Sequence, residues 1–251
     1  MRNYNIETEK RVEFIRGIIH SAGASGVVYG NSGGKDCTLV GILCKMACDN
    51  TIGIIMPCGS KQNYKSDKTD AYAAAGQFGI ETRMIDLTDT RDKLVSAAGE
   101  QTQLSPAAIN NIAPRLRMTA LYAVAASENL LVAGTSNLSE TYMGYFTKWG
   151  DGGCDFNPIA DLTVTEVYEF LRHLDAPQSI IAKVPSAGLF EGQTDEDEMG
   201  VTYRAIDEFL TKGTANDHDR AIIERYHNQS GHKRKMPVKF NSQFTMRQRD
   251  S

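Results

Sequence analysis

Val27-Val28-Tyr29-Gly30-Asn31-Ser32-Gly33-Gly34-Lys35-Asp36-Cys37 sets three kinds of residue in an informative order. The apolar triplet Val27–Tyr29 predicts a short buried strand. Gly30 to Gly34 predicts a turn, and a helix is expected from about Asp36 to Ala47. Two adjacent glycines let successive backbone N–H groups curl inward and form an anion-binding nest. The helix that follows adds the positive end of its dipole. Ser32 and Lys35 supply side-chain donors, and Asp36 can hold Mg2+ against phosphate oxygens. The turn has neither the G-x-x-x-x-G-K-[ST] spacing of the usual P-loop nor the G-x-G-x-x-G spacing of a dinucleotide-binding turn.

Outward from this turn, strands and helices alternate. An amphipathic helix over 7–20 precedes it, with Val12, Ile15, Ile18 and Ile19 at helical spacing. Thr51–Met56 reads as a second strand, closed by Pro57, Cys58 and Gly59. Ser66 is the expected N-cap of a helix reaching Phe78, and Gly79 stops it. Ile80–Leu87 is a third strand, and Thr88 or Asp89 caps a helix to about Ala98. Pro106 and Pro114 flank a loop, and Pro114 suits the first turn of a helix running to Ser127. Leu130–Ala133 is a fourth strand, followed by Gly134 and Thr135. Helical patterns recur over 163–173, 202–211 and 217–227. This alternation predicts an α/β fold with a doubly wound, mostly parallel sheet and helices on both faces. No repeat, low-complexity segment or linker divides the chain, so one domain is expected over residues 1–251.

A net charge of -4 argues against a general nucleic-acid binder. The first residues, MRNYNIETEKRVEFIRG, carry no long apolar run, so neither a signal peptide nor a membrane span is expected. Cys37, Cys44, Cys48, Cys58 and Cys154 form no C-x-x-C pair. A disulfide framework is not expected in a chain of this size, and a reducing, cytoplasmic location fits.

Ser32-Gly33-Gly34-Lys35-Asp36 resembles the S-G-G-x-D-S pyrophosphate-binding loop of the N-type ATP pyrophosphatases. Cys37 replaces the final serine, and Asn31 stands where an apolar residue is usual. That superfamily splits ATP into AMP, carried on the substrate, and pyrophosphate. The second half of the chain is more specific. Gly134-Thr135-Ser136-Asn137-Leu138-Ser139-Glu140, the run from Gly144 to Asp155, and Asn157-Pro158 are similar to core motifs of ammonia-dependent NAD synthetases. Arg115-Leu116-Arg117-Met118, Pro185–Leu189, Gln193–Tyr203 and His232-Lys233-Arg234 extend the resemblance over about residues 26–236.

The resemblance implies an adenine nucleotide alpha hydrolase-like fold and a C–N bond-forming ligase. ATP would adenylylate the carboxylate of deamido-NAD, and ammonia would displace AMP. Such a reaction needs positioned groups and neutralised phosphate charge rather than a protein nucleophile. By motif, Gly30, Asn31, Ser32, Gly33, Gly34, Lys35, Asp36, Cys37, Thr135 and Ser186 would contact ATP. Asp36 and Glu140 would ligate Mg2+. Arg115, Phe146, Lys148, Asp155, His232 and Lys233 would contact deamido-NAD, with Phe146 stacked on the nicotinate ring. Val164 stands where the family has an ATP-contacting lysine, and Lys35 is expected to take over that phosphate contact. The acidic run Asp195–Glu198 reads as the capped start of a helix after Thr194.

The resemblance also implies a homodimer, and nitrogen taken from free ammonia, because the motifs leave no room for a glutamine amidase domain. The runner-up readings are a tRNA sulfurtransferase-type ATP pyrophosphatase and a non-catalytic nucleotide-binding module. The absent C-x-x-C pair and the negative charge weigh against the first; Cys37 and Val164 motivate the second.

Overall fold

A computed structural model describes residues 2–59, 63–182 and 195–240. Helix α1 spans Tyr4–Ala22, with Asn3 capping its start and left-handed Gly23 ending it. Strand β1 (Gly26–Gly30) feeds α2 (Lys35–Ala47), β2 (Thr51–Ile55) feeds α3 (Asn63–Gln77), and β3 (Glu81–Met84) feeds α4 (Thr88–Gly99). Two helices, α5 (Pro106–Asn110) and α6 (Ile112–Glu128), then lead to β4 (Leu130–Ala133). Next come α7 (Leu138–Met143), α8 (Val164–His173), α9 (Gln178–Ile181), α10 (Asp195–Met199), α11 (Tyr203–Lys212) and α12 (Asp217–Gln229). A 3-10 turn over Gly231–Arg234 follows.

All strand pairs are parallel, in the order β3-β2-β1-β4. The chain builds β1, β2 and β3 in one direction, then returns to place β4 on the other side of β1. Strand order therefore reverses between β1 and β4, where open α/β sheets bind ligands beyond the strand ends.

Strand periodicity sorts side chains into two layers. Val27 and Tyr29 face a core shared with Leu39, Leu43, Ile15 and Phe170, drawn from α2, α1 and α8. Val28, Ile52, Ile54 and Val132 face the opposite core, closed by Ala113, Leu121 and Ala125 of α6. A third cluster joins Met143, Val164, Met199, Val201, Tyr203, Ile206 and Ile223. Asp207, 5% exposed, ties that region together by accepting from Ser139 Oγ, Thr165 N and Thr165 Oγ1.

Three local expectations need correction. The stretch between Pro106 and Pro114 is mostly helix rather than loop: Ser105 caps the Ala108 N–H, Pro106 opens α5, and α6 begins at Ile112. A fixed φ and a missing N–H suit Pro to the first helical position. Ser66 lies inside α3, which begins at Asn63. Neither Thr88 nor Asp89 caps α4; Asp86 Oδ1 accepts the Thr88 N–H at 2.9 Å instead.

Glycine is required where Tyr29, 1% exposed, lies between α2 and β2. A Cβ at Gly41 would overlap Tyr29 Oη, and one at Gly53 would stand 3.0 Å from it. Gly41→Ala should destabilise the protein by about 1–3 kcal/mol, the usual cost of overpacking. Tyr29→Phe in the same chain should recover part of the loss in urea unfolding; full additivity would show that the two positions do not clash.

Candidate active site

Beyond β1 the chain turns through Gly33, at φ +72°, into an extended Gly34 that starts α2. No side chain caps this helix start, so its leading N–H groups face the turn. Asn31 and Cys37 brace the turn from below. Asn31 is 3% exposed; its Oδ1 accepts the Gly33 N–H at 3.2 Å, and its Nδ2 donates to Ala71 O. Cys37 Sγ lies 3.2 Å from Gly34 O and 3.3 Å from Ser32 Oγ. Burial raises its pKa, outweighing the hydrogen bonds that lower it. These two residues, grouped by motif with the ATP contacts, are thus placed to hold the nest's shape. A polar Asn31 fits because its amide joins the turn to α3.

Thr135 lies just beyond β4, beside the first turn of α7, where Asn137 and Glu140 form a reciprocal capping box. This brings Glu140 to Asp36. Lys35 Nζ lies 2.7 Å from Asp36 Oδ2 and 3.4 Å from Glu140 Oε1. Asn137 Nδ2 donates to Asp36 Oδ1 at 3.0 Å, and Asn137 N donates to Glu140 Oε2 at 3.4 Å. Burial, and next the like charge of Asp36, push the Glu140 carboxyl up to about 8 against the pull of Lys35. Asn137 is fully buried and central to this arrangement. Sequence reasoning missed its part, although N-x-x-E before a helix is a capping-box signal.

The donor set suits a hard divalent cation. Two carboxylates already converge on one cationic atom, and oxygen ligands are what Mg2+ prefers. Among the described residues no group of three or more His, Cys, Asp or Glu side chains is placed to hold a metal ion. Phosphate oxygens and water would have to complete a shell around Asp36 and Glu140.

A second group of predicted residues meets near the chain's end. Lys233 Nζ donates to Gly144 O at 2.7 Å and Phe146 O at 2.8 Å, and stands 5.6 Å from the Phe146 ring centroid. Burial lowers its pKa, against the nearby charge of Asp151. Lys148 Nζ donates to the His232 and Lys235 carbonyls, and Arg115 reaches Lys148 O. The His232 side chain is exposed. Gly152 makes room for the Phe146 ring; a Cβ there would stand 2.6 Å from Phe146 Cδ2. Asp155 stands apart from these cations. Its Oδ2 accepts the Val132 N–H at 2.7 Å and its Oδ1 accepts the Tyr122 hydroxyl at 3.0 Å, pinning its segment along β4.

Val164 is 4% exposed in the third apolar cluster and offers no cation to the nest. Lys35 does not face solvent, but its ammonium is directed at carboxylates. The acids of α10 do more than favour a helix dipole: Asp195 Oδ2 accepts the Tyr203 hydroxyl, Glu196 Oε1 the Tyr203 N–H and Glu198 Oε2 the Tyr145 hydroxyl. Thr194 and Ser186 lie outside the described residues.

A phosphate-type nest at the strand-order switch of an open parallel sheet, facing paired carboxylates, defines the class: a nucleotide-binding α/β protein of the adenine nucleotide alpha hydrolase type. The NAD synthase family model matches residues 7–237. The chain is 45% identical to the NH(3)-dependent NAD(+) synthetase of Carboxydothermus hydrogenoformans, over 94% of this chain and 97% of that one. The solved NMN synthetase of Francisella tularensis is similar at TM-score 0.90 and 37% identity, covering 96% of this chain and 100% of that one. The NH3-dependent NAD synthetase of Campylobacter jejuni gives TM-score 0.75 and 30% identity, with the same two coverages. The chain belongs to the NAD synthase family.

The raised Glu140 pKa has a consequence for stability. The folded value of about 8 lies above the ordinary 4.5, so between them the folded chain holds a proton that the unfolded chain has lost. That contribution is present below about pH 4.5 and is lost as pH rises through about 8. Relative to Glu140→Gln, the wild type should lose urea resistance from pH 5 to pH 9. Parallel profiles would show that Glu140 does not hold the proton.

Proposed function

We propose that this chain amidates the carboxylate of deamido-NAD with ammonia, using ATP and giving NAD, AMP and pyrophosphate. The carrying observation is the convergence of Asp36 and Glu140 at the mouth of the nest between β1 and β4. A carboxylate loses oxide too poorly to be attacked directly by ammonia. Its oxygen first attacks the α-phosphorus of ATP, and the bond to pyrophosphate breaks. Ammonia then attacks the acyl carbon, gives up a proton, and AMP leaves with the former carboxylate oxygen.

In this reading the backbone N–H groups from Gly33 into α2, with Ser32, receive the leaving pyrophosphate. Asn31 and Cys37 keep that nest in shape. Asp36 and Glu140 would hold Mg2+, which supplies charge neutralisation at the phosphates. Thr135, just beyond β4, would contact the same ATP, and by motif so would Ser186. Arg115, Lys148, His232 and Lys233 would form the cationic side of the acceptor site, and Phe146 an aromatic surface for the nicotinate ring. Asp155 would act there by fixing its segment against β4. A homodimer and a cytoplasmic location are part of this proposal; among the described residues no helix is long and apolar enough to cross a membrane.

One observation favours a second acceptor. The likeness to the Francisella NMN synthetase, at TM-score 0.90, exceeds that to the Campylobacter NAD synthetase, at 0.75. Nicotinate mononucleotide presents the same aromatic carboxylate without the AMP half. Mass spectrometry of products from each acid, with ATP, Mg2+ and ammonium, separates the readings. NAD formation from deamido-NAD is the expected result; amide formed only from the mononucleotide would replace it, and amide from neither would refute both. Glutamine in place of ammonium should give no comparable turnover.

Asp36→Asn and Glu140→Gln should each lower kcat about a hundredfold or more, the scale of losing a strong electrostatic stabiliser. Their thermal melting should stay cooperative. Near-normal turnover at saturating Mg2+ would remove the substituted residue from the site.

Lys233→Met should disturb the acceptor side instead. It deletes two charge-assisted bonds to the Gly144 and Phe146 carbonyls, each bond to a charged group contributing about 1.5–3 kcal/mol. KM for the acid dinucleotide should rise more than KM for ATP. An equal rise in both would indicate general loosening.

A further inference from the structure

Lys35 opens α2, yet it is only 8% exposed. Its ammonium stands between Asp36 and Glu140, at 2.7 and 3.4 Å, and 5.6 Å from the centroid of the Tyr203 ring. The remaining carboxylate oxygens are also supplied: Asn137 Nδ2 donates to Asp36 Oδ1, and Asn137 N to Glu140 Oε2. All four oxygens thus have donors without any added ion.

A divalent cation entering between the same carboxylates would meet an ammonium within a few ångströms. Two cations cannot share that volume, because repulsion at such range is strong in a partly buried setting. The ammonium must therefore move when the metal enters. Its backbone anchor lies at the nest, and its flexible four-carbon stem carries a compact charge able to change partners. Phosphates bound in the nest would offer it new acceptors.

We propose that Lys35 is a place-holder cation: it fills the point between Asp36 and Glu140 until a nucleotide arrives, then passes its ammonium to the phosphates as a divalent ion takes its place. Metal alone is bound weakly, and nucleotide and metal promote each other's binding, since such coupling is reciprocal. Lys35 also offsets negative charge of the carboxylate pair in the free protein. This rests on the reading of Asp36 and Glu140 as the metal pair.

The test uses Mn2+ as the probe on the full chain without nucleotide, read by electron paramagnetic resonance. Lys35→Gln should bind Mn2+ about tenfold or more tighter than the wild type, within the usual range of such couplings. Lys35→Arg, which keeps the charge, should bind as weakly as the wild type. Lys35→Met retains the apolar stem and gives the same reading where Lys35→Gln does not fold. Nucleotide-free Mn2+ affinity equal to wild type in the folded uncharged variant overturns the place-holder. Adding Asp36→Asn to Lys35→Gln should abolish the gained affinity. If that double variant still binds tightly, Mn2+ sits elsewhere and the carboxylate-pair reading fails too.

Discussion

Two carboxylates and one ammonium share a partly buried volume between the ends of β1 and β4. The ammonium, and below about pH 8 a proton on Glu140, offset the like charge of the pair in the free protein. Asn137 completes the balance, because one side chain caps α7 through its oxygen and binds Asp36 through its nitrogen. The start of α7 and the start of α2 are thereby locked together across the strand-order switch. The described groups proposed to meet ATP lie in the turn after β1, at the start of α2 and just beyond β4, on the two sides of that lock.

The sheet makes the lock geometrically available. β1 and β4 are adjacent and parallel, so the turns that leave them emerge side by side. Tyr29 fixes α2 over β2 through close approach at Gly41 and Gly53, and Asn31 joins the nest to α3. These contacts stiffen the turn from beneath while its open N–H groups face the ligand side. The residues that depart from the family loop, Asn31 and Cys37, belong to this under-layer.

A different principle organises the acceptor side. Lys148 and Lys233 direct their charges into backbone carbonyls that join the segment after α12 to the loop after α7, and Arg234 bonds carbonyls of α7 and α12. Cations used in this way stabilise chain geometry and still leave a positive field nearby. The region can be both a structural clasp and an electrostatic surface, with Phe146 beside Lys233.

The sequence by itself determined the alternation of strands and helices, the nest at Gly33-Gly34 and the motif set from Gly134 to Asp155. Those features are local: buried strands need apolar runs, turns need glycine, and helix starts need caps. It also supplied Lys35, Asp36 and Glu140, but not their meeting, since residues about a hundred positions apart in sequence meet only through the order β3-β2-β1-β4. The same limit hid Asn137 as a bridge, Val164 as a buried apolar residue and Asp155 as a clamp on β4. Only the tertiary structure decided these, because a side chain's partner and its burial depend on which elements pack against it, and no local pattern encodes that.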